Sequence, residues 1–165
     1  MNVAPIALGA LLLGGALAQV SSPLRLQLTQ ELVTTVTESG RTVEKLSSMP
    51  KSVRPGDTLT QVITASNLGK STLRQASINL PVPRGTEFLG QSTPAGPRWS
   101  TEFSRDGGQT FAAAPLKKTI TVTENGKSVQ KEVIVPPSEY TNVRWVVGAM
   151  NSGDTLKFGF RVKVK

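Results

Sequence analysis

An all-β fold, a sandwich or a barrel of short antiparallel strands, is what this sequence predicts, and three observations carry the prediction. Apolar and polar residues alternate with period two along most of the chain, the spacing of a strand with one buried face. Turn residues (Gly, Pro, Asn and Asp) punctuate these runs at short intervals. Beyond residue 18 no run of apolar residues follows a helical period.

Taken in order, the chain opens with an apolar run from Pro5 to Leu13 that closes on Ala16-Leu17-Ala18, the small-x-small pattern cut by a signal peptidase. Residues 1–18 are therefore expected to be a signal peptide, with the mature protein starting at Gln19. One departure is the absence of Lys or Arg before the apolar run. The run is too short to cross a hydrocarbon core of about 30 Å, so no transmembrane span is expected after processing. Removing residues 1–18 from the 165 leaves 147, a length that suits one domain over residues 19–165.

Leu24, Leu26, Leu28, Leu32 and Val36 alternate with polar residues and predict a half-buried strand. Ser39-Gly40 breaks it, and Val43 to Leu46 is expected to return as a hairpin partner. Ser47 to Pro55 reads as a loop. Pro55-Gly56-Asp57-Thr58-Leu59 is a turn opening a strand that buries Leu59, Ile63 and Ala65, and Ser152-Gly153-Asp154-Thr155-Leu156 opens the last strand in the same way. Between them Ala76, Ile78 and Leu80 form a strand that Pro81 and Pro83 end or place at an edge.

Two hairpins are expected next. Trp99 to Ser104 and Gln109 to Ala112 flank Arg105-Asp106-Gly107-Gly108, and a second pair of strands flanks Asn125-Gly126, a dipeptide suited to positive φ. Val143, Trp145 and Val147 then make an inward row. In the last strand Leu156, Phe158, Phe160, Val162 and Val164 face one way, with Lys157, Arg161, Lys163 and the terminal Lys165 on the other. The expected large core residues are Trp99, Phe103, Phe111, Trp145, Phe158 and Phe160.

Composition removes whole classes of chemistry. The chain has no Cys and no His, so disulfides, thiolate ligands, Ser-His-Asp and Cys-His catalysis and His-bound metals are all excluded. Eleven Asp and Glu leave only carboxylate-pair hydrolysis open, and no two stand in a pattern that singles them out. Asp57, Asp106, Asn151 and Asp154 lack the ligand spacing of a calcium loop and read as turn residues. The net charge of +8 comes from scattered Lys and Arg with few aromatics, which argues against nucleic acid and, in an exported protein, for envelope anions.

Pro55-Gly56-Asp57-Thr58-Leu59, the strand ending Ala65-Ser66-Asn67-Leu68-Gly69, and Leu80-Pro81 to Pro83-Arg84-Gly85-Thr86 resemble the conserved-repeat family of bacterial surface proteins called domain of unknown function 11. The resemblance covers about residues 52–165. It departs at Asn79, where the family often carries an acid, and in a longer insertion from Trp99 to Val135. It implies an immunoglobulin-like antiparallel β-sandwich, exported to the periplasm or cell surface, without catalysis or cofactor.

The expectation is therefore a non-enzymatic structural or accessory subunit of an envelope assembly such as a surface layer, pilus or secretion complex, with a protein partner. The alternative is a module that binds anionic envelope polymer or lipid through Lys157, Arg161, Lys163 and Lys165, a row that would otherwise guard a sheet edge. The strand from Leu24 to Val36 either completes this chain's own sandwich or pairs with another subunit.

Overall fold

The computed structural model describes residues 22–48 and 52–165; the predicted signal peptide lies outside them. Ten strands follow in chain order: β1 (Leu24–Glu38), β2 (Arg41–Ser48), β3 (Thr58–Asn67), β4 (Leu73–Pro81), β5 (Thr86–Gln91), β6 (Trp99–Ser104), β7 (Lys117–Glu124), β8 (Lys127–Ile134), β9 (Asn142–Met150) and β10 (Thr155–Val164). Every pairing is antiparallel. A five-stranded sheet, β2-β1-β3-β10-β5, faces a three-stranded one, β4-β9-β6, and β7-β8 stands apart as a two-stranded ribbon. This is the predicted antiparallel β-sandwich.

The core follows from the alternation. Leu59, Ile63 and Ala65 of β3 and Phe158, Phe160 and Val162 of β10 meet Ile78, Leu80, Val143, Trp145 and Val147 from the opposite sheet, all buried. The Trp145 ring stacks on Phe158 at 5.2 Å between centroids, with Phe160 at 6.4 Å. At one flank Phe88, Phe103 and Tyr140 pack with Phe160 at 5.0–5.6 Å.

Two turns of the same build clamp the ends of the β3–β10 pair. In the first, the Arg54 N–H donates to Asp57 Oδ2 (2.7 Å) and the Asp57 N–H to the Arg54 carbonyl (3.0 Å); in the second, Asn151 and Asp154 repeat both bonds at 3.0 Å. Each third residue is a glycine at positive φ, +94° at Gly56 and +81° at Gly153, as a type II turn requires. Each glycine N–H then donates to the last residue of the other strand, Gly56 to the Val164 carbonyl (2.8 Å) and Gly153 to that of Asn67 (2.9 Å). The Gly-Asp repeat in the sequence is thus a pair of matched strand clamps.

Several expectations are corrected. Ser47 and Ser48 belong to β2 and not to a loop. Gln109 to Ala112 forms no strand, only a bridge from Ala112 to Phe103, because the Asp106 carboxylate accepts the N–H groups of Gln109 and Thr110 and winds the chain into a wide turn. Phe111 is not in the core: it is half-exposed, with the Arg144 guanidinium 3.9 Å above its ring. The β7-β8 hairpin forms around Asn125 and Gly126, both at positive φ, yet it lies outside both sheets. β1 pairs with β3 and so completes this chain's own sheet, but Leu26 and Leu28 of its predicted buried row are 46% and 54% exposed.

Candidate functional site

The four cations predicted as an anion-binding row sit on β10, and the sheet order decides what they can do. β10 lies between β3 and β5, so it has no free edge to guard, and that explanation of the row falls. Lys157, Arg161 and Lys163 point to the outer face of the five-stranded sheet, opposite Thr64, Thr60 and Thr58 of β3. Lys165 follows the strand, its N–H bonded to the Gly85 carbonyl at 2.9 Å.

The structure does not bring the four together. Between Lys157 and Arg161 the row holds Gly159, and the chain leaving β5 crosses over it. The N–H groups of Ser92 and Thr93 both donate to the Gly159 carbonyl, and its own N–H donates to Thr93 Oγ1 at 2.6 Å. A Cβ there would lie 2.6 Å from Ser92 Oγ and 2.7 Å from the Gln61 carbonyl oxygen. An isolated glycine inside a strand is the sequence signal of such a crossing.

Arg161 is tied up as well. Its guanidinium grips Glu44 with both Nη atoms, at 2.9 and 2.5 Å, across a cleft of about 320 Å³ lined by Val33, Thr35, Thr58, Leu89, Gly90 and Gln91. The bond to Arg161 holds the Glu44 carboxyl below its ordinary value and raises the guanidinium in return. These residues are 117 positions apart, so nothing in the sequence announces the pair; it forms because β1 and β2 run on beyond the start of β3. Lys157, beside Gln27, Thr29, Glu31 and Thr64, and Lys163, in register with Glu87, remain as exposed cations separated by the crossing and the ion pair.

Most of the carboxylates are occupied in the same way. Among the described residues six make ion pairs with Lys or Arg, and Asp57 and Asp106 are held by N–H groups of their own turns. Asp106 has its carboxyl far below the ordinary range, because Thr110 donates both its hydroxyl and its N–H and Ser104 adds another hydroxyl. The Asn151 N–H, with Arg98 behind it, lowers Asp154. Asp57, Asp106 and Asp154 thus each serve a separate turn.

What the fold leaves open instead is a sheet surface. The ring contacts place β9 over β10 and β6 over β10 and β5, so β4 lies toward β3; Leu24 and Leu32 of β1 still pack against the core, but among the described residues no strand covers β2 or the Leu26–Leu28 stretch of β1. Leu26, Leu28 and Val43 face that uncovered side. Alternation alone missed this because it reports that one face is apolar, not whether a second sheet reaches it. The chain is an antiparallel β-sandwich with an overhanging sheet. No family model matches it, and neither curated proteins nor solved structures yield a match.

Proposed function

We propose that this protein is an exported, non-enzymatic structural or accessory subunit of a bacterial cell-envelope assembly, held there by protein contacts along its sheets. The observation that carries the reading is the overhang: Leu26 and Leu28, 46% and 54% exposed, follow one another along one face of β1, exposed apolar side chains of the kind that marks protein–protein contact. Two sequence features support the setting, the leader pattern ending at Ala18 and the resemblance of the Pro-Gly-Asp and Leu-Pro motifs to bacterial surface repeats. Most of the carboxylates are spent on turns and ion pairs.

Native isolation from the envelope fraction, followed by cross-linking and mass spectrometry, tests the reading. The expected result is a protein partner, another chain or further copies of this one, at constant ratio, with the mature N-terminus at Gln19. Recovery of the protein alone, with release increasing as salt rises, would overturn it in favour of the second reading, retention on anionic polymer or lipid. That reading rests on the exposure of Lys157 and Lys163. It ranks lower because Gly159 and the Arg161–Glu44 pair interrupt the row. Lys157→Gln with Lys163→Gln would abolish low-salt retention if it held.

A further inference from the structure

We infer that copies of this chain join head to tail, the β7-β8 ribbon of one copy completing the three-stranded sheet of the next beside β4; the inference rests on the assembly reading above and names the partner as a second copy. The mismatch between the sheets is two strands, five against three. A register row shows where they are missing. Leu28, Ile63 and Phe158 lie side by side in the large sheet, and Ile78 and Trp145 lie side by side in the small one. Trp145 stacks on Phe158, so Ile78 falls toward Ile63, and the vacant place beyond Ile78 lies above Leu28.

The edge bordering that place is unusually receptive. Proteins guard sheet edges with charge, proline or bulges. β2 carries Arg41, Glu44 and Lys45, β5 has a bulge against β10, and β6 is bridged by Ala112. In β4 the guards stand only at the ends, Arg74 with Gln75 at φ +52° and Pro81. Ala76 to Leu80 between them contains neither charge nor proline.

The ribbon supplies what is lacking. It has two strands of eight residues, the length over which β1 and β2 pair. Ile120, Val122, Val129 and Val133 lie on one of its faces, with Lys118, Glu124 and Lys127 toward its ends and Lys131, paired with Glu124, between the two valines, and among the described residues it pairs with no other strand. A two-stranded ribbon is only marginally stable in water by itself. With β7 beside β4, Ile120 and Val122 would descend on the Leu26 and Leu28 row, and β8 would lie over β2.

The ribbon cannot fill its own chain's gap. Its base is fixed through Tyr140, whose hydroxyl accepts the Leu116 N–H at 3.3 Å and whose ring packs on Phe88 and Phe103. That is the β5–β6 side, away from β4. Donor and acceptor on opposite flanks define a heterologous contact, which runs on from copy to copy into a filament or a ring and not into a two-fold dimer.

The test is sedimentation velocity of the purified protein over a hundredfold range of concentration. Species beyond the dimer should grow with concentration, and more strongly in high salt, since each copy carries +8. Leu28→Lys and Ile120→Lys should each weaken association at least tenfold while leaving the circular dichroism unchanged, both side chains being partly or largely exposed. An equimolar mixture of the two variants should form a dimer and stop there, one sound ribbon meeting one sound gap. A protein that stays monomeric throughout, a closed dimer, or a mixture that does not pair would overturn the inference. If the protein stays monomeric while native isolation returns a foreign partner at fixed ratio, the subunit reading stands and the head-to-tail contact falls; if neither appears, both fall.

Discussion

Gly56→Ala and Gly153→Ala should each destabilise the protein by about 1 kcal/mol, and the magnitude can be worked from the turns. Both glycines hold positive φ, +94° and +81°, and neither has an atom within 4 Å of where a Cβ would stand. Crowding therefore contributes nothing, and the cost is backbone strain alone, roughly 1–2 kcal/mol for an L-residue in the left-handed region. Alanine also restricts the unfolded chain, which returns about 0.4–1 kcal/mol. The net is about 1 kcal/mol per turn.

Because β3 and β10 run antiparallel, the turns sit at opposite ends of the pair, roughly 30 Å apart at about 3.3 Å per residue. Sites so far apart should add within about 0.5 kcal/mol, giving about 2 kcal/mol for the double variant. Urea unfolding monitored by the fluorescence of Trp99 and Trp145 measures this directly. Gly90→Ala is the control, since Gly90 has open space around its Cβ position and no positive φ. If Gly153→Ala were as silent as Gly90→Ala, or if the double variant cost far more than the sum, the account of two independent clamps would be wrong.

Gly159→Ala presents the contrasting case, with ordinary φ but a Cβ 2.7 Å from the Gln61 backbone oxygen; it should cost about 1–3 kcal/mol by overpacking, and a stability unchanged in the same urea experiment would remove the crossing at Ser92–Thr93 from the account. Acid should weaken the fold through Glu44, Asp106 and Asp154, whose carboxyls lie below their ordinary values in the folded protein. The stabilisation is full above the unfolded carboxylate values near about 4 and is lost as pH falls through the lower folded values. Unfolding midpoints should hold from pH 7 to 5 and drop toward pH 2, and Asp106→Asn should flatten that drop; a midpoint insensitive to acid would refute the linkage.

The strands of the sandwich were legible wherever one face is buried and the other wet. β3, β4, β9 and β10 alternate, and the apolar rows the sequence marks are buried or half-buried in them, whereas Gln61 and Met150, fully buried in β3 and β9, escaped it. β5 escaped because Phe88 is its sole fully inward large residue and a bulge beside Val162 breaks the period. Tyr140 escaped because it follows a short 3-10 turn instead of standing in a strand. The basic row was visible as a pattern, but its interruption was not. A glycine at 159 hints at close approach, whereas Glu44 reaches Arg161 only through the placement of β1 and β2.

The choice of which strands carry guards bears on function. A chain without cysteine must draw its stability from the core, and here the buried aromatics Trp145, Phe158, Phe160, Phe88 and Phe103 concentrate under β9, β10, β5 and β6. The β1–β2 flank lacks such a layer, and it is also the flank where apolar side chains are exposed beside the uncharged stretch of β4. An unfinished core would ordinarily be an aggregation hazard. A net charge of +8 opposes indiscriminate collapse of like copies, so the flank can stay open without precipitating. On the head-to-tail contact proposed above, association is then reserved for a strand that supplies both backbone pairing and a matching apolar row, a dual requirement that adhesive hydrophobic patches do not impose.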